Sequence, residues 1–135
     1  MNNFESHKID CIERNNFVLN NVELDPLIDF EVKRVYYITN TSEEVFPHSH
    51  KEQKEFFIMV QGTCELEFDK GEGLEEIKLN GSRTQEDDAV FVNNLVWHHF
   101  KDFSDNAILL ALSSKKSSSV DYIKDYDKFL KVRDE

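Results

Sequence analysis

The chain reads as an all-β protein, a double-sheet barrel with a short C-terminal helix, and three observations point there. Short runs rich in Val, Ile, Phe and Tyr recur through residues 1–112, and β-branched and aromatic residues are the ones that suit a pleated, half-buried surface. Turn signals separate the runs: Gln61-Gly62, Asp69-Lys70-Gly71-Glu72-Gly73, Asn80-Gly81 and Asn93-Asn94. Between two of them, Cys64-Glu65-Leu66-Glu67-Phe68 alternates apolar and charged residues, the pattern of a strand with one buried and one wet face. Many short strands joined by tight turns fold as a sandwich or a barrel.

Taken in order, strands are expected over residues 9–12, 17–19, 31–39, 56–60, 63–68, 76–79, 89–92 and 107–112. The tail changes character. Ser119 is placed to cap a helix, and Asp121 would lie in its first turn, where a negative charge suits the helix dipole. Tyr122, Ile123, Tyr126, Phe129 and Leu130 then share one helical face. The expectation is one domain over residues 1–135, a barrel over 1–112 and a helix over 119–131.

Composition narrows the functional classes. A length of 135 residues suits one domain, and a formal charge of −11 argues against nucleic acid or an anionic membrane as the main partner. No run approaches the roughly 18 apolar residues of a membrane span, and the first residues lack a basic segment followed by an apolar one. Cys11 and Cys64 are too far apart for a CxxC pair. Together these predict a cytoplasmic protein with reduced thiols.

The chemistry concentrates at His48-Ser49-His50, with Glu55 following, Gly62 closing the run and His98 downstream. One residue between two histidines on a strand sends both imidazoles to the same face. Imidazole can ligate a metal or move protons near neutral pH. His99 alternates with His98 and should point outward, Trp97 beside it offers either core packing or a ligand platform, and Tyr36 and Tyr37 must face opposite ways.

The spacings His48-x-His50-x4-Glu55-x6-Gly62 and Asp88-x4-Asn93-x4-His98 resemble the two motifs of the cupin superfamily, small double-sheet β-barrels of jelly-roll type. In metal-binding cupins the corresponding ligands hold a divalent cation, so His48, His50, Glu55 and His98 are the metal set that this resemblance implies. Three nitrogens and one oxygen suit Fe, Mn, Ni, Cu or Zn. The motif glycine and proline positions depart here as Ser42, Asn93 and Leu95.

A closer resemblance covers nearly the whole chain. Lys33-Arg34-Val35-Tyr36-Tyr37-Ile38, His48-Ser49-His50-Lys51, Gly62-Thr63-Cys64, Asp69-Lys70-Gly71, Val96-Trp97-His98, Phe103-Ser104 and residues 121–127 (DYIKDYD) occur in that order. Together they resemble the dTDP-4-keto-6-deoxyhexose 3,4-ketoisomerases of deoxysugar biosynthesis, the WxcM-like group. That resemblance implies a metal-free isomerase, a homodimer, that moves a carbonyl between C4 and C3 of a dTDP-linked sugar. It implies His48, His50 and one tyrosine of the pair as catalytic residues, with Tyr37 chosen here. Arg34, Glu55, Trp97 and His98 are then the expected substrate-binding residues, with no cofactor. Two departures stand out. The family's Arg-Gly before the first His is Phe46-Pro47 here, so Arg34 or Arg14 would have to meet the diphosphate. Glu55 replaces the usual Gln and completes the metal set, which keeps a metal-dependent cupin and a non-catalytic sugar-binding cupin as alternatives.

Overall fold

The computed structural model describes residues 3–40, 45–81 and 86–135. Twelve strands are present among them: β1 (Phe4–His7), β2 (Asp10–Glu13), β3 (Val18–Asn21), β4 (Arg34–Ile38), β5 (Ser49–His50), β6 (Glu55–Gln61), β7 (Thr63–Asp69), β8 (Leu74–Asn80), β9 (Ala89–Val92), β10 (Trp97–Lys101), β11 (Ile108–Ser113) and β12 (Tyr122–Ile123). A single irregular turn, α1 (Leu24–Leu27), and one C-terminal helix, α2 (Tyr126–Arg133), complete the fold. Ser42 lies outside the described residues.

Two sheets carry the architecture. One has five strands in the order β1-β9-β6-β11-β4, the other three in the order β10-β7-β8. Every pairing is antiparallel. β7 shows why the sheets pack face to face: Cys64, Leu66 and Phe68 point inward while Glu65 and Glu67 remain half-exposed. They meet Phe57, Met59, Val90, Val92, Leu109 and Ala111 from the larger sheet in one core. β6 is apolar without alternation because it is central and covered on both sides. Phe57 and Met59 face that core, whereas Phe56 and Ile58 face a second cluster under α1 and the β2–β3 hairpin.

Gly62 makes the turn from β6 to β7 at φ +81, and a Cβ there would collide with Ser104 Oγ. Leu95, at the position where the cupin motif has glycine, takes φ +58, a conformation an L-residue adopts at some cost. Its N–H donates to the His50 carbonyl at 2.8 Å, so the strained residue fixes the histidine strand.

The tail corrects one expectation. The helix starts at Tyr126, not near residue 119, and its N-cap is Asp125, which accepts from the Asp127 N–H at 2.9 Å. Upstream, Tyr122 and Ile123 form β12 and pair with His50 and Ser49. Tertiary pairing therefore overrides the helical spacing. α2 is held at the end of β7: the buried Asp69 carboxylate accepts from Tyr126 Oη at 2.7 Å and from Arg133 Nη1 at 3.3 Å. No helix among the described residues is long and apolar enough to cross a membrane.

Candidate active site

Three strands bring four residues together at one end of the core. His48 precedes β5 and bridges to His98 on β10, each backbone N–H donating to the other's carbonyl. The extended backbone from His48 to His50 turns both imidazoles the same way, their ring centroids 4.8 Å apart. His98 completes a cluster, 4.4 Å from His48 and 5.8 Å from His50. Glu55 enters from β6. All four residues are buried.

Hydrogen bonds fix the imidazole tautomers. His48 Nδ1 lies 3.0 Å from the Phe46 carbonyl, and His98 Nδ1 3.0 Å from the Val96 carbonyl. A carbonyl only accepts, so each Nδ1 carries the proton and each Nε2 presents a lone pair. His98 Nε2 is buried with no hydrogen-bond partner. His50 is turned the other way, with Nε2 3.2 Å from Glu55 Oε1. Against a carboxylate that nitrogen holds a proton, and Nδ1 is buried without a hydrogen-bond partner. Gln53 lies 3.3 Å from the same Nε2, and turning its amide lets the otherwise unpartnered Oε1 accept there too.

Glu55 is the charged centre of this network. Its Oε2 accepts from Tyr36 Oη at 2.5 Å and from Ser113 Oγ at 3.0 Å. Burial works against its charge, but His50, His98 and Tyr36 outweigh it and hold the carboxyl down at about 2. Burial lowers His48 to about 4 and His98 to about 3, so both are neutral near pH 7. Burial and the adjoining carboxylate drive the Tyr36 phenol well above its usual range, so it remains a donor.

The expected site residues divide clearly. His48, His50, Glu55 and His98 come together. Arg34 is close by, its guanidinium 4.5 Å above the Tyr36 ring. The tyrosine needs correcting: Tyr36 faces the cavity, while Tyr37 is 69% exposed on the opposite face of β4. Trp97 also does not join the histidines. It alternates with His98 on β10 and packs against Tyr126 and Phe129 of α2, at 5.3 and 5.6 Å. Arg14 sits in the turn of the β2–β3 hairpin, where its N–H donates to the Phe17 carbonyl. His99 points outward beside Glu67 at 3.8 Å. Sequence reasoning missed Ser113 and Gln53, which gave no signal, and misplaced Tyr122, whose ring stands 4.9 Å from His50 and 5.2 Å from His48.

The donor set would also accept a metal. The ligand atoms of His48, His50, Glu55 and His98 lie within 4.8 Å of one another, and His98 Nε2 has no hydrogen-bond partner. His50 would have to surrender its Nε2 proton to join them.

Comparison with known proteins agrees with this geometry. A family model described as WxcM-like, C-terminal (FdtA) matches residues 2–134. The chain is 33% identical over 112 residues to the TDP-4-oxo-6-deoxy-alpha-D-glucose-3,4-oxoisomerase of Aneurinibacillus thermoaerophilus, covering 82% of this chain and 78% of that protein. It superposes on a 3,4-ketoisomerase from Helicobacter canadensis with a TM-score of 0.82, 31% identity and full coverage of both chains. The WlaRB TDP-quinovose 3,4-ketoisomerase of Campylobacter jejuni gives a TM-score of 0.81 at 32% identity, covering 97% of this chain and 99% of that one. A double-sheet fold with its histidines gathered at one end, a family model that matches residues 2–134 and relatives that cover 82% to 100% of the chain make it a member of the WxcM-like family of sugar 3,4-ketoisomerases.

Proposed function

We propose that the chain is an isomerase that converts TDP-4-keto-6-deoxyglucose to the 3-keto sugar by proton transfer between its own side chains, without a metal or other cofactor. The observation that carries this is the pair of imidazoles at His48 and His50, turned to the same side with ring centroids 4.8 Å apart and backed by Glu55 and Tyr36. Among its structural neighbours, a histidine-to-asparagine variant of the Thermoanaerobacterium thermosaccharolyticum ketoisomerase holds TDP-4-keto-6-deoxyglucose.

The C4 carbonyl acidifies the C3 proton, and His50 removes it as base. The electron pair moves onto the C4 oxygen as an enediolate, which the Tyr36 hydroxyl stabilises by turning its one proton from Glu55 Oε2 to that oxygen, while Ser113 keeps its bond to the carboxylate. His48 then takes the proton of the C3 hydroxyl and hands it to the C4 oxygen, C4 receives a proton from the His50 imidazolium, whose protons exchange with solvent, and the carbonyl stands at C3. No oxidant is needed because one carbon is oxidised as its neighbour is reduced. Glu55 orients His50 and stabilises the imidazolium that forms, as the acid of a triad does.

A homodimer in the cytoplasm belongs to this reading. Val35 and Tyr37 on edge strand β4, and Phe17, Val18 and Leu19 on the hairpin, expose apolar side chains that a second copy would cover. The deciding assay is incubation with TDP-4-keto-6-deoxyglucose in deuterated water. Formation of a 3-keto sugar with deuterium at C4, lost in His50→Asn, is expected. Unchanged substrate under those conditions would overturn the reading.

A further inference from the structure

The substrate this family turns over is a dianion, and the chain carries a net charge of −11, so a local cation is required at the mouth of the site. β12 provides one. It pairs with the histidine strand, Tyr122 opposite His50, and the Lys51 N–H donates to the Asp121 carbonyl at 3.2 Å. The tail is thus fastened to the strand that carries the chemistry. Tyr122 and Phe46, each 47% exposed, stand side by side with ring centroids 6.1 Å apart, and Phe46 lies 5.1 Å from the His48 ring. Lys124 Nζ lies above both, 5.0 Å from the Phe46 centroid and 5.4 Å from that of Tyr122. Lys124 is exposed, and no carboxylate among the described residues pairs with it.

The cation and the aromatic rim sit at the right remove from the chemistry. If C3 and C4 of a hexose face the imidazoles, its anomeric carbon lies across the ring, and the first phosphate follows one bond beyond. Lys124 lies within that reach, 5.0 Å from the Phe46 ring that itself stands 5.1 Å from the His48 ring, with the Tyr122 ring beside both. Arg34, the other cation of the site, lies against the Tyr36 ring at 4.5 Å. Phe46 occupies the stretch immediately before the first histidine and holds the lysine by cation–π attraction.

We propose that Lys124 binds the diphosphate of the nucleotide sugar, positioned by Phe46 and Tyr122, and that the C-terminal tail is therefore a substrate-binding element as well as a structural one. This rests on the ketoisomerase reading for the sugar but not for the anion. The test measures TDP affinity by calorimetry at two salt concentrations, and steady-state kinetics, for the full chain, Lys124→Ala, Lys124→Arg and the tail control Lys128→Ala. Lys124→Ala should weaken TDP binding and raise KM by about tenfold, as loss of one charge-assisted contact does. Its kcat should hold and its salt dependence fall, while Lys124→Arg and Lys128→Ala stay within about twofold of the parent. TDP affinity unchanged in Lys124→Ala, or equal losses at Lys124 and Lys128, would overturn the proposal. A parent chain that binds TDP through Lys124 but leaves the 4-keto sugar unchanged would refute the isomerase reading and leave this one standing.

Discussion

Lowering the pH should unfold this protein through its active site. His48 and His98 are neutral in the folded state, with values near 4 and 3, against about 6.5 in an unfolded chain. Both folded values are depressed, so as pH falls through 6.5 the unfolded state takes up protons that the folded state refuses. Stability is complete above about pH 7.5 and declines until the folded values are reached. Between pH 8 and pH 5 each histidine accounts for about 2 kcal/mol, or about 4 kcal/mol for the pair. That is a large share of the roughly 5–15 kcal/mol a domain possesses. Glu55 acts lower, its contribution disappearing as pH falls from 4.5 towards 2. Urea unfolding at pH 8, 6.5 and 5 measures the decline, followed by fluorescence of the single, buried Trp97. His98→Asn should remove about half of it. A stability flat to within about 1 kcal/mol over that range, or an undiminished decline in His98→Asn, would refute the reasoning.

Other perturbations separate the roles of neighbouring residues. Tyr36→Phe should lower kcat by about 10²–10³, the usual cost of removing one oxyanion donor, with TDP affinity unchanged. Tyr37→Phe, on the wet face of the same strand, should stay within about twofold; a reversal of the two results would reinstate Tyr37. Asp69→Ala strips the acceptor from Tyr126 and Arg133 and should cost about 2–3 kcal/mol in chemical denaturation, loosening α2 before the sheets. Chelation and dialysis should leave turnover intact, whereas excess Zn²⁺ should inhibit by occupying the His48, His50, Glu55 and His98 donors. Loss of activity on chelation, restored by metal, would make the cation part of the reaction.

The parts of the fold that could be read from sequence are those whose local pattern and tertiary role coincide. The alternation of β7, the turn at Gly62 and the buried run of β6 each state their own burial, and the expected strands follow with shifts of up to three residues, the largest at the start of β4. β1 and β10 were not foreseen, because Glu5, Ser6, His98 and Lys101 dilute the apolar signal and only pairing with β9 and β7 makes them strands. The tail failed for the opposite reason. Its helical spacing is genuine from Tyr126 onward, but Tyr122 and Ile123 are drawn into pairing with the histidine strand. At the site, period two placed His48 and His50 together and His99 outside. The same rule could not choose between Tyr36 and Tyr37, since it fixes that they differ but not which one faces in. Only the register of β4 against β11, Tyr36 opposite Ala111, settles it.

Glu55 poses the sharpest energetic question, because an enediolate must form near a carboxylate that is already buried and ionised. Two like charges in a dry cavity repel strongly, so the residue should impede the reaction unless something separates them. In the proposed reaction Tyr36 does this on the oxygen side: its hydroxyl stands against Glu55 Oε2, and its raised affinity for its proton keeps it a donor that can turn to the enediolate oxygen. On the base side the charge would help in the proposed reaction, since a proton taken from C3 by His50 would be held 3.2 Å from Glu55 Oε1. The carboxylate therefore favours proton abstraction and is insulated from its product. Glu55→Gln keeps the shape and the hydrogen bonds from Tyr36 and Ser113 but removes the charge that meets the imidazolium. It should lower kcat by about tenfold to a hundredfold, the range of an ionic partner to a catalytic imidazole that is weakened but not misoriented, while KM and TDP affinity hold. A variant that isomerises as fast as the parent would show that the charge is a spectator and that His50 works unaided.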